Sequence, residues 1–137
     1  MSRVLILCTG NSARSQMAEG LLKNLTKGRD VVYSAGIAPK GVHPLAIRAM
    51  SEINIDISHQ KSQFVGEFLD QNFDYVITVC DQAQQSCPIF SGQGTRLHWS
   101  FPDPAVPQES EAAQYALFCQ VRDQLKQQLI TWLHSLA

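Results

Sequence analysis

The chain has 137 residues, 45% hydrophobic and 17% charged, with eleven Lys and Arg against twelve Asp and Glu for a net charge of −1. That length suits one compact domain over residues 1–137, with enough apolar material for a core, and this excludes wholesale disorder. The balanced charge, with no run of Lys and Arg, argues against non-specific nucleic-acid binding, and no apolar stretch reaches the ~18 residues that a membrane span needs.

Met1 to Leu7 is apolar but short. It runs into Cys8-Thr9-Gly10-Asn11 rather than a long signal core with a small-residue cleavage site, so a soluble, cytosolic protein is expected. Arg3 to Leu7 has the continuous apolar pattern of a parallel strand buried on both faces. From Ala13 to Lys27 the pattern becomes helical, with Met17, Leu21 and Leu25 inward and Gly28 placed to stop it. Asp30 to Ala35 predicts a second strand, closed by Gly36. Pro44 suits the first turn of a helix over Leu45 to Ile53. Phe73 to Val79 predicts a third strand and Thr95 to Trp99 a short fourth. Glu109 to Ala137 predicts one long amphipathic helix with Leu117, Val121, Leu125, Leu129 and Trp132 inward. Strands alternating with helices imply crossover connections and a parallel sheet with helices on both faces. The expectation is a four-stranded, flavodoxin-like, doubly wound α/β domain without linker or repeat. Ligands in such sheets bind at the carboxyl ends of the strands.

The segment after the first strand is Cys8-Thr9-Gly10-Asn11-Ser12-Ala13-Arg14-Ser15. A turn of this length lets the backbone N–H groups of Thr9, Gly10, Asn11, Ser12, Ala13 and Arg14 converge on one centre, and Gly10 supplies freedom for the curl. The helix N-terminus adds partial positive charge there. Arg14 can grip two oxygens of a tetrahedral oxyanion with its planar fork. A cysteine in that field is favoured as the nucleophilic thiolate, and Ser15 can donate its hydroxyl to it. Taken singly, Cys8 reads as a strand-end core residue and Arg14 as a surface residue; together they read as an anion loop holding a nucleophile. The loop lacks the Gly-Lys-Ser/Thr ending of a nucleotide-binding P-loop.

In a reducing compartment the four cysteines, Cys8, Cys80, Cys87 and Cys119, suit redox, metal or nucleophile roles better than a disulfide frame. Cys80 follows the third strand and falls at the same sheet edge as Cys8. Cys80 and Cys87 match no common zinc spacing. If residues 80–87 are helical, their Cα atoms stand ~10.5 Å apart. A disulfide requires roughly 4.4–6.8 Å, so pairing them requires the helix to unwind.

Cys-x5-Arg-Ser near the start of a small flavodoxin-like chain resembles the low-molecular-weight protein tyrosine phosphatases and their relatives, the thioredoxin-coupled arsenate reductases. The resemblance spans essentially the full chain. It implies that Asp103, in Pro102-Asp103-Pro104, is the proton-transfer group. Ala105 stands where the phosphatases usually carry Tyr or Phe, and His98-Trp99 and the Cys80/Cys87 pair are similar to the reductase branch. The resemblance then implies that Cys8 attacks arsenate, Cys80 attacks Cys8 with release of arsenite, and Cys87 attacks Cys80. That relay leaves a surface disulfide for thioredoxin, with no bound redox cofactor and with phosphate and sulfate as competing anions. Asn11, Glu19 and Ser34 match positions that bind potassium in some members, but Gln63 replaces an aspartate of that set, so at most a weak site is expected. Cys119 has no role in this reading, and nothing demands more than a monomer. A phosphatase using Cys8, Arg14 and Asp103 alone is the rival enzyme. A non-catalytic anion sensor is a third reading, against which Asp103 argues, since a carboxylate repels anions.

Overall fold

A computed structural model of the chain describes residues 2–85 and 94–136. Strands β1 (Arg3–Cys8), β2 (Val31–Gly36), β3 (Tyr75–Thr78) and β4 (Thr95–His98) form one all-parallel sheet in the order β2-β1-β3-β4. β1 is flanked on both sides, and its burial is continuous from Val4 to Cys8, as its unbroken apolar sequence requires. β2 and β4 lie at the two edges, and β4 is the more exposed of them. β3 is shorter than the run Phe73 to Val79, although the Asp74 and Val79 amides still bond the Arg3 and Leu7 carbonyls.

Helix α1 (Arg14–Leu25) buries Met17, Ala18, Leu21 and Leu22. It ends three residues before Gly28, because the chain already turns out through left-handed Lys27 and Gly28, whose amide closes on the Lys23 carbonyl at 3.1 Å. Helix α2 (Pro44–Ser51) has proline in its first turn as expected. Helix α3 (Asp81–Gln85) follows Cys80, and α4 (Glu111–Ser135) is capped by Ser110, whose Oγ accepts the Ala113 amide at 3.0 Å. α4 packs along α1 and α2. Its inward row is Phe118, Val121, Arg122, Leu125, Leu129 and Trp132, and Leu117 is only half-buried, a correction to the expected stripe.

The two faces of β2 show the double winding. Ser34 bonds Glu19 of α1, whereas Tyr33 points the other way, onto Phe68 and Phe73 at ring separations of 5.5 and 6.3 Å. Phe68 belongs to a 3-10 turn (Val65–Phe68) that the sequence did not announce. No helix of the described residues is long and apolar enough to cross a membrane.

Candidate active site

Cys8 is the last residue of β1 and pairs in register with Gly36 of β2. A Cβ at Gly36 would fall 2.7 Å from the Thr9 carbonyl and 2.8 Å from the Asn11 amide, so only glycine lets the loop after Cys8 lie so close to β2. Outside donors hold the loop by its carbonyls. The amides of Ala38, Lys40 and His43 bond the carbonyls of Thr9, Gly10 and Ser12 at 2.9, 2.9 and 3.0 Å, and the Ser62 hydroxyl reaches the Asn11 carbonyl at 2.9 Å. In a trans peptide the N–H points opposite to the C=O, so the amides of Gly10, Asn11, Ser12 and Ala13 turn toward the centre of the loop. The start of α1 carries no capping side chain and no acidic residue in its first turn, which leaves its free amides for an anion.

Asn11 is fully buried and left-handed at φ 46°. Its Oδ1 accepts from the Gln63 amide at 2.8 Å and from Gln16 at 3.0 Å, which fixes the orientation of the side-chain amide. Both hydrogens of its Nδ2 are therefore donated, to Ser15 Oγ at 2.7 Å and to Ser34 Oγ at 2.9 Å. The Ser15 hydroxyl lies 2.8 Å from Cys8 Sγ, where it can donate to a thiolate. On the other branch Ser34 donates to Glu19 Oε1 at 2.5 Å, and Lys23 Nζ sits 2.5 Å from Glu19 Oε2. Asn11, Glu19 and Ser34 are thus together, as the sequence suggested. They do not fit a potassium ion, because Asn11 presents donors to this group and the Lys23 ammonium already sits on the carboxylate. Among the described residues no three His, Cys, Asp or Glu side chains gather to hold a metal.

A cavity of about 490 Å³ opens over the loop. Cys8, Arg14, Lys40, His43, Asp103 and Ala105 all line it. Among the described residues no Phe, Tyr or Trp lines it. Arg14 Nη1 donates to the Phe101 carbonyl at 3.0 Å, and Nη2 stands 3.8 Å from Asp103 Oδ2, so the guanidinium bridges the anion loop and the acid loop. Asp103 Oδ1 accepts the Ala105 amide at 2.9 Å, which orients the carboxyl from a Pro-bounded turn.

Sequence reasoning missed Lys40 and His43. The signal for His43 was its place before Pro44: its Nδ1 accepts the Leu45 amide at 3.1 Å and caps α2. Burial holds this imidazole below its ordinary pKa, with the charge of Asp103 pulling the other way. The neutral ring therefore points its other nitrogen away from the cap, as an N–H donor.

Cys80 is buried and lies one side chain behind the cavity. Its Sγ is 3.3 Å from Thr9 Oγ1 and 3.4 Å from the Ala83 amide. Cys87 lies outside the described residues. Cys119 is half-buried on α4, with Sγ 4.0 Å from Glu52 Oε2, and takes no part in the cavity. Cys8, Cys80 and Cys119 are all free thiols.

A curled amide loop, a strand-end cysteine and an arginine opening the next helix define a thiol enzyme of phosphatase type. The chain belongs to the low-molecular-weight phosphotyrosine protein phosphatase family, which it matches over residues 3–137. It is 43% identical to an arsenate reductase of Halalkalibacterium halodurans over 96% of this chain and 95% of that one. It is 44% identical to an arsenate reductase of Bacillus subtilis over 92% and 91%. A solved arsenate reductase in its phosphate-binding state is 33% identical and superposes with a TM-score of 0.83 over the full length of both chains.

Proposed function

We propose that the protein reduces arsenate to arsenite with electrons from its own thiols. The observation that carries this reading is the second buried thiol, Cys80, beside Thr9 of the anion loop. Hydrolysis of a phosphate ester has no use for it. The similarity to arsenate reductases and a cavity that no Phe, Tyr or Trp lines among the described residues support the same reading.

Arsenate, a tetrahedral oxyanion, sits on the inward amides of residues 9–14 under the Arg14 fork. Cys8 Sγ attacks arsenic, and the oxygen that leaves takes a proton from Asp103 and departs as water. Cys80 then attacks Cys8 Sγ. The S–As bond breaks with its electron pair left on arsenic, which departs as arsenite, and a Cys8–Cys80 disulfide remains. Cys87 attacks Cys80 and frees Cys8, and an external dithiol of the thioredoxin class reduces the resulting Cys80–Cys87 pair. Residues 1–137 act as one unit, as a monomer in the cytoplasm. Assays of thioredoxin-driven arsenite release and of aryl-phosphate hydrolysis on the same preparation test this. The expected result is sustained arsenite release with at most slow hydrolysis. Hydrolysis without arsenite release overturns the reading in favour of a phosphatase, and neither activity in favour of an anion sensor.

A further inference from the structure

We propose that His98 is a positioning residue that latches α3 in its helical form and so sets the redox balance of the thiol pair. This rests on the relay reading above and on the sequence expectation that residues 80–87 are helical, so that a Cys80–Cys87 bond requires the segment beginning with α3 to unwind. α3 has five residues, and a single turn and a half does not hold itself. Ala83 is its one buried side chain, and between α3 and β4 lies a cavity of about 180 Å³ bordered by Gln84 and His98. Across that gap His98 Nε2 meets Asp81 Oδ1, on the first residue of α3, at 2.9 Å. The other ring nitrogen, Nδ1, lies 2.7 Å from Thr78 Oγ1, at the end of β3. A ring fixed to the sheet by one nitrogen thus holds the helix by the other. Both nitrogens are satisfied when Thr78 donates to Nδ1 and Nε2–H donates to the carboxylate.

The latch exists only while α3 is helical, so it favours the dithiol. Closing the Cys80–Cys87 bond removes two electrons and two protons from the two thiols. Arsenic takes the electrons in turnover, and oxidised dithiothreitol takes them in the test. Wild type, His98→Leu, His98→Gln and Asp81→Ala are equilibrated in dithiothreitol redox buffers, and the Cys80–Cys87 pair is quantified by peptide mapping. His98→Leu and Asp81→Ala should each hold the disulfide about fivefold more tightly, which lowers the midpoint by about 20 mV for two electrons. The double variant should shift no further than either single one, because both remove the same contact. His98→Gln, whose amide can donate to Asp81, should recover most of the wild-type midpoint. Equal midpoints in all four overturn the latch and leave the relay standing. Failure of wild type to form a Cys80–Cys87 disulfide at any potential overturns the relay, and the latch with it.

Discussion

The ammonium of Lys23 meets the carboxylate of Glu19 at 2.5 Å, at the far end of a hydrogen-bond chain that begins at the candidate nucleophile. The chain runs from Cys8 through Ser15, Asn11 and Ser34 to Glu19, each step between 2.5 and 2.9 Å. A buried carboxylate needs a compensating charge, and here the helix supplies it from one turn away.

Potassium should therefore matter little. Melting temperatures in potassium and choline chloride at equal ionic strength should agree within about 1 °C. Lys23→Met removes a charge-assisted hydrogen bond of roughly 1.5–3 kcal/mol, a loss of several degrees, roughly 4–10 °C, in melting temperature. A large, saturable, potassium-specific rise in the wild type would place the ion, rather than Lys23, on Glu19.

Arg14→Lys should lower kcat/KM for arsenate roughly 10²-fold or more, because an ammonium cannot grip two oxygens and also bond the Phe101 carbonyl. Inhibition by phosphate should weaken in parallel. Near-normal turnover with unchanged phosphate inhibition would remove Arg14 from anion binding.

Asp103→Asn keeps the shape of the turn and the acceptor for the Ala105 amide, yet it cannot deliver a proton. Turnover should fall roughly 10²–10⁴-fold with phosphate binding retained. Loss of both together would make Asp103 a structural residue of the loop.

His43 gives a pH dependence with a definite sign. Its folded pKa is lowered, so the unfolded chain binds the proton more readily. Its contribution to stability is complete above about pH 6.5 and is lost as the pH falls from there through the folded value. His43→Asn retains an oxygen to cap α2 and does not titrate. Between pH 7.5 and 5 the wild type should lose more melting temperature than His43→Asn; parallel curves would remove His43 as the cause.

The anion loop was legible in the sequence because Cys8 through Ser15 is one contiguous strand–turn–helix, its chemistry set by local geometry. Lys40 and His43 were not, since they reach the cavity through amides on the carbonyls of Gly10 and Ser12, a pairing no local pattern records. Leu117 and Phe118 show a subtler limit. Steps of four from Leu117 through Leu129 drift around a helix of 3.6 residues per turn, whereas Phe118, Val121, Leu125, Leu129 and Trp132, spaced by three, four, four and three, stay on one face. The 3-10 turn over Val65–Phe68 is carried by the stacking of Phe68 on Tyr33, a contact between distant segments.

The three cysteines should trap different stations of the reaction. Cys8→Ser removes the nucleophile, so no arsenite should form with any thiol donor. Cys80→Ser leaves an arsenate adduct on Cys8 with no internal thiol to resolve it, so release should fall to the rate that added small thiols support. Cys87→Ser should release about one equivalent of arsenite, since two thiols supply the two electrons needed. It should then stall as a Cys8–Cys80 disulfide, because the thiols of both residues are buried in the fold and poorly open to an external dithiol. Peptide mapping under non-reducing conditions reads which pair is bonded in each variant. Oxidised wild type should contain the Cys80–Cys87 pair, and Cys87→Ser the Cys8–Cys80 pair. Sustained thioredoxin-driven turnover by Cys87→Ser at the wild-type rate would remove Cys87 from the relay and leave a two-thiol reaction reduced directly at Cys80.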